Sequence, residues 1–176
     1  VVHIVGGGLA VSGAWVLGPR MGKYSSRGTP FLIRGHNLSL ASLGTFILWF
    51  GWFGFNGGSL WPMKPHFSHI LLVTSMGGAA GFIAALVRNM VLSEKVNPEH
   101  ALTGVLAGLV AITPGAHILS LPAAFFSGLV GSLLSIWALD FLEKKTRIDD
   151  PVGAGAVHLF AGIWGTVSIG FLSSHH

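Results

Sequence analysis

Cysteine is absent from the 176 residues, which removes disulfide frameworks and thiolate metal sites from consideration. Charge is nearly as scarce. Asp, Glu, Lys and Arg together make up 9% of the chain, against roughly a quarter in soluble domains. What is there instead is apolar: 51% of the residues are hydrophobic. The chain therefore reads as an integral membrane protein. Its isoelectric point near 10 rests on ten Lys and Arg that sit between apolar runs. That placement is the pattern of topology signals, and it argues against nucleic acid as a partner.

Taking about 20 apolar residues as enough to cross a bilayer, the sequence divides into one partial and five further spans. They cover 1–18, 38–57, 68–91, 100–114, 121–142 and 152–172. A single crossing over 100–142 would need about 60 Å of helix, twice the hydrocarbon thickness, so the break falls between Pro114 and Pro122. The fold class is all-α, a polytopic membrane helix bundle of about six transmembrane helices, with residues 1–176 as one transmembrane domain. Nine cations, from Arg20 to Arg147, lie in the connections after spans one, three and five, and only Lys64 lies on the other side. By the positive-inside rule the loops 19–37, 92–99 and 143–151 are cytoplasmic and both chain ends are outside. The first span is already under way at Val1, with no initiating Met or signal peptide, and the chain stops just after span six. The expectation is an internal piece of a larger protein, not able to form a sealed pore by itself.

The 26 glycines are spread through the apolar runs. Small residues let membrane helices approach closely, since lipid offers no hydrophobic drive for association. Gly6, Gly7, Gly8 and Gly13 are expected to form one such face, and Gly77, Gly78 and Gly81 another.

Two histidines fall inside apolar spans: His3 in VVHIVGG and His158 in GAGAVHLFAG. An ionisable ring at that depth is costly and usually faces a bundle interior, a cavity or a partner. One such ring is readily explained by a structural hydrogen bond. Two, without a carboxylate partner at membrane depth, point to function, because histidine also handles protons near neutrality. Their depths are a difficulty. By helical rise His158 lies about 10 Å from the cytoplasmic end of its span and His3 about 22 Å.

Span two ends in LWFGWFGFNGGS. Interfacial aromatics are ordinary membrane anchors, yet Trp52 and Phe55 are one turn apart and share a face with Leu48. An aromatic face binds cations through its quadrupole or shuts a narrow pore against water. Ser59 follows one turn later with a hydroxyl. In RIDDPVGA, Asp150 followed by Pro151 resembles a helix start, with Asp as N-cap and Pro at the first helical position; Asp149 reads as solvated. His66 and His69 have one-turn metal spacing but no third ligand nearby, so no metal is assigned. His36, His100 and His117 sit near interfaces and read as unremarkable, and the terminal His175 and His176 are assigned nothing.

Five strings then carry a resemblance: VVHIVGG, GAWVLGPRMGKY, GTFILWFGWFGFNGGS, AGLVAITPG and DDPVGAGAVHLFAGIWGT. Together, and in this order along nearly the whole chain, they resemble the ammonium transporter family (the Amt/Mep/Rh superfamily), its Amt branch in particular. The resemblance implies that the spans are similar to that family's helices five to ten, the second inverted repeat plus the preceding helix. It implies that His3 and His158 are the paired pore histidines, Phe55 half of a phenyl gate, Trp52 and Leu48 pore lining, and Ser59 part of an external ammonium site. Asp150 matches the family's structural aspartate at the start of its tenth helix. It also implies ammonium or ammonia as the transported species, no cofactor, no enzymatic activity, a multi-pass protein of the plasma membrane, and a homotrimer in a lipid bilayer. Two alternatives stand beside transport. One is an ammonium sensor on the same fold; the other treats the two histidines as axial haem ligands of an electron carrier.

Overall fold

The computed structural model describes residues 1–59, 67–92 and 96–173. Lys64, His66, Lys95, His175 and His176 therefore lie outside the described residues. Each expected span is a helix: α1 (Val2–Leu17), α2 (Leu38–Gly58), α3 (Phe67–Val91), α4 (Pro98–Ile112), α5 (Leu121–Phe141) and α6 (Ala156–Leu172). α2, α3 and α5 with its extension to Thr146 are long and apolar enough to cross a membrane, and α1 and α6 are shorter apolar helices.

Side chains set the helix starts. Asn37 accepts from the Leu40 amide at 2.9 Å to open α2. Asn97 accepts from the Glu99 amide at 3.0 Å and is followed by Pro98, which fits the first helical turn. Ser120 opens α5 in the same way, with Pro122 next to it. Between α4 and α5 the chain makes a tight turn over Thr113–Gly115, centred on Pro114. Proline cannot continue the α4 ladder, so the expected break lies there.

α3, α4 and α5 form the packed centre. Backbone meets backbone where Gly81 faces Gly104 and Gly77 faces Gly108. A Cβ on Gly81 would stand 2.9 Å from the Gly104 carbonyl carbon and 3.1 Å from the Gly108 Cα. Gly128 of α5 enters the same seam, its notional Cβ 3.1 Å from the Gly77 Cα. This is the small-residue packing that membrane helices use in place of a hydrophobic drive. Buried hydroxyls add cross-links, since Ser132 Oγ donates to the Gly81 carbonyl at 2.8 Å. α1 and α2 lie outside this centre, and Leu9, Val16, Phe46, Ile47 and Phe50 leave apolar faces exposed. The expected α1 glycine face is narrower than proposed: Gly7 is tightly packed, while Gly6, Gly8 and Gly13 have open space beside them.

The basic loops gather at one end of the bundle. Lys23, 5% exposed, pairs with Glu143 and reaches the Phe31 carbonyl at 3.2 Å; the Tyr24 hydroxyl donates to the Glu143 carbonyl at 3.1 Å. Asp149 is not solvated. It is 4% exposed and takes two hydrogen bonds from the Arg20 guanidinium, at 2.7 and 2.9 Å, and a third from the Arg20 amide at 3.0 Å. The guanidinium holds the Asp149 carboxyl below the usual carboxylate range.

Candidate functional site

α1 and α6 approach so closely at Gly7 that a Cβ there would lie 2.7 Å from the His158 carbonyl carbon and from the Leu159 Cα. The neighbouring contacts fix the register. Ile4 lies against Gly162 and Val11 against Gly155, so the His158 backbone is level with Gly7. His3 is then one turn away along α1, and the two side chains bridge that step. Their rings lie nearly parallel, 13° apart, with centroids separated by 5.2 Å.

This register resolves the mismatch in depth. α6 begins near the level of Val11, whereas α1 continues six residues further to Leu17, about 9 Å at helical rise. The expected placement of Pro151 at the first helical position is incorrect. Residues 151–153 form a turn in which the Gly153 amide donates to the Asp150 carbonyl at 3.2 Å, and helical backbone starts at Ala154. Asp150 does cap the helix, but from further back: its Oδ2 accepts from the Ala156 amide at 2.9 Å. Ala156–Ala161 is wound as a wide π-type turn that includes His158. Such a turn fits one extra residue into the helix and is found disproportionately at functional positions.

α2 brings its aromatic face to the same point. Trp52 stacks on His3 with centroids 5.2 Å apart and planes 16° apart, and Phe55 tilts against His3 at 5.6 Å. His3 is thus the ring shared by Trp52, Phe55 and His158. Trp52 is held in place by its indole N–H, which donates to Thr113 Oγ1 at 2.8 Å; Thr113 in turn donates to the Leu109 carbonyl at 2.7 Å. Leu48 stands one turn from Trp52 and is half-exposed. Ser59 lies one turn beyond Phe55, and its hydroxyl donates to the Phe55 carbonyl at 2.6 Å.

Two ring nitrogens in this cluster, His3 Nε2 and His158 Nδ1, are buried without a hydrogen-bond partner among the described residues. Buried polar atoms are nearly always satisfied, so this pair on facing helices keeps hydrogen-bonding capacity for a polar partner. His69 Nε2 is engaged with the Leu119 carbonyl at 2.9 Å, a structural contact; its suggested companion His66 lies outside the described residues.

Sequence reasoning missed Thr113, the anchor of Trp52, and Gly7, the contact that lets the histidines meet. ITPG reads as a helix break and as part of the family resemblance, with no partner assigned to Thr113, and Gly7 is one of several equivalent glycines.

The family model described as Ammonium Transporter Family matches residues 1–176. The chain belongs to the ammonium transporter family. This family member is 39% identical over 176 residues to the ammonium transporter Amt2 of Archaeoglobus fulgidus, an alignment covering 98% of the chain and 37% of that protein. With the ammonium transporter Amt1 of Methanocaldococcus jannaschii it shares 37% identity over 171 residues, 96% of the chain and 42% of that protein. The chain thus spans about two fifths of the length of these curated relatives. Among solved structures, one titled Sensor Amt Protein superposes with a TM-score of 0.96 at 40% identity, covering 98% of the chain and 43% of its own. Candida albicans Mep2 superposes with a TM-score of 0.83 at 26% identity, over 96% of the chain and 37% of its own. The all-α bundle therefore has the ammonium transporter fold.

Proposed function

We propose that the chain carries part of a transmembrane path for ammonium or ammonia, with His3 and His158 as its paired pore histidines. The observation that carries this reading is the ring cluster, in which His3 touches Trp52, Phe55 and His158 at centroid distances of 5.2 to 5.6 Å. Ammonium is expensive to carry bare through a dry pore, as any isolated ion is. In this reading aromatic faces and the Ser59 oxygen recruit it at the outer mouth and replace part of its hydration, while Trp52, stacked on His3, lines the path further in. Ser59 suits that role because its proton is committed to the Phe55 carbonyl, leaving lone pairs outward. Further in, neutral ammonia passes more cheaply, and the orphaned nitrogens of His3 and His158 give it hydrogen-bond partners. Phe55 serves as a gate, Leu48 lines the path, and Asp150 is structural, holding the turn that carries His158. The full protein is a multi-pass, non-enzymatic protein of the plasma membrane, assembling as a homotrimer by family resemblance, and residues 1–176 form one transmembrane unit of it.

The test is methylammonium uptake by the full-length protein, comparing wild type with His3→Ala and His158→Ala at matched expression. Both changes are expected to alter conduction or ion selectivity. Unchanged flux and selectivity in both would refute the assignment.

A second reading is favoured by one observation, the TM-score of 0.96 and 40% identity to a protein titled Sensor Amt Protein. Under it the same ring cluster binds ammonium to signal rather than to conduct. Proteoliposomes separate the two, because a sensor binds methylammonium without saturable flux.

A further inference from the structure

The cytoplasmic end of α5 carries an aromatic plate followed by a run of cations. Trp137 stacks on Phe141 with centroids 5.2 Å apart and planes 17° apart, and Phe160 of α6 meets Trp137 edge-on at 6.2 Å. Trp137 is 54% exposed and Phe141 37%, so the plate lies on the surface of the described bundle. Lys144 and Lys145 follow Phe141 about one turn further along. Arg147 comes next, and its backbone has φ 58°, in the left-handed region that favours glycine. An arginine is costly there, and such outliers concentrate at functional positions. Its guanidinium is laid against Gly28 of the α1–α2 loop, where a Cβ would stand 2.8 Å from Arg147 Nε. That contact draws the two loops together, so exposed Arg27, next in the chain to Gly28, joins the same patch.

The carboxylates at this end are already committed. Asp140 pairs with Lys144 at 2.8 Å and with Arg88 at 3.6 Å, Glu143 pairs with Lys23, and Asp149 pairs with Arg20. Asp150 accepts from the Ala156 amide. Among the described residues no carboxylate pairs with Arg27, Lys145 or Arg147, and all three are exposed.

We propose that this patch binds an anionic phospholipid of the cytoplasmic leaflet, with Arg27, Lys145 and Arg147 on its phosphate and the Trp137–Phe141 plate beside its upper acyl chain. The surplus of cations calls for an anion, and the rings say where the rest of that anion lies. Indole and phenyl groups settle where acyl chains meet headgroups. Lys144 and Lys145 stand roughly 5 Å beyond Phe141 at helical rise, at the level of the phosphates, and cations clustered just past a membrane helix attract anionic lipid. A soluble anion would use the cations and leave the rings idle, and an acidic protein would do the same. A zwitterionic lipid would bring its own ammonium against three uncommitted cations. Arg27 and Arg147 add planar forks, which match phosphate oxygens two at a time. The proposal is independent of the ammonium reading, because it concerns the lipid-facing surface and not the ring cluster.

The test titrates the full-length protein, purified in detergent, with phosphatidylglycerol or phosphatidylcholine and reads bound lipid by native mass spectrometry. Wild type is expected to bind its tightest phosphatidylglycerol about tenfold or more above phosphatidylcholine at low salt, and the preference should shrink as salt rises. Each cation near a charged lipid surface contributes a factor of about five. Lys145→Gln and Arg147→Gln should each lose about that factor for phosphatidylglycerol. The triple variant that adds Arg27→Gln should lose about a hundredfold, with phosphatidylcholine binding unchanged. Arg147→Gly guards against misfolding, because it removes the guanidinium and relieves the left-handed backbone. It should melt no lower than wild type and still lose the lipid. Trp137→Ala should weaken both lipids alike. Equal affinity of wild type for the two lipids would overturn the proposal, as would undiminished phosphatidylglycerol binding in the triple variant. Glycerol phosphate displacing phosphatidylglycerol at equal concentration would overturn the lipid assignment and leave a plain anion site.

Discussion

Gly7→Ala tests the register that brings the two histidines together. In a free helix the change is favourable by about 1 kcal/mol, because alanine loses less backbone entropy than glycine. Here the new Cβ would lie 2.7 Å from the His158 carbonyl carbon and the Leu159 Cα, where carbon atoms prefer about 3.5–4.0 Å. The obstructing atoms are backbone, so no side chain can swing aside. α1 and α6 must separate by roughly 1 Å, at an overpacking cost of about 1–3 kcal/mol. That shift opens the contact between rings now 5.2 Å apart. Gly8→Ala is the control: it sits on the same helix with nothing within 4 Å of its notional Cβ, and should be neutral or slightly stabilising. Thermal unfolding in detergent and methylammonium uptake are the paired assays. Gly7→Ala is expected to lower both the melting temperature and uptake, and Gly8→Ala neither. If the two variants behave alike in both assays, the register argument is wrong.

Asp149→Asn removes the charge that Arg20 clamps; since Arg20 is 38% exposed, the expected loss is about 1–2 kcal/mol rather than the larger cost of a fully buried pair. Because the folded carboxyl titrates below its unfolded value, this stabilisation is full above about pH 4 and fades as pH falls through the folded value. Melting curves of wild type and Asp149→Asn should therefore differ at pH 6 and converge in stronger acid. Trp52→Phe deletes the hydrogen bond to Thr113, at about 1 kcal/mol, and chemical denaturation of the pair reads it. Gly81→Ala wedges α3 from α4 where backbone meets backbone and should lower the melting temperature more than Gly7→Ala does, because the seam lies at the packed centre. Asp150→Ala loses a cap worth about 1 kcal/mol and should alter uptake as well as stability, whereas a cap without a link to His158 would alter stability alone.

Much of this was legible in the residues. Apolar run lengths and the prolines at 114 and 122 located all six helices, because span length and backbone sterics are local properties. The motifs of α1, α2 and α6 likewise nominated His3, His158, Trp52 and Phe55, which the fold brings together. What stayed hidden was relational. Nothing in IDDPVG says that Asp149 meets an arginine 129 positions away. A helical rise counted from span ends misplaced the histidines relative to each other, because α1 and α6 end at different depths. Gly7 could not be told from Gly8 without knowing which side faces a neighbour. Leu48 shares the aromatic face by periodicity, yet half of it stays exposed, since α2 lies at the edge of the described bundle.

Asp149 and Asp150 are consecutive, yet they hold different helices. Asp149 grips Arg20, just past the end of α1, and Asp150 grips the Ala156 amide at the start of α6. With the histidine contact at the far end, the arrangement is a closed triangle: two helical struts, one dipeptide apex, and a base made of two stacked rings. A triangle cannot change shape without changing the length of a side. Spreading the rings therefore requires sliding one strut along the other or loosening the apex, and a disturbance in the loop that bears the two aspartates is felt at the rings themselves.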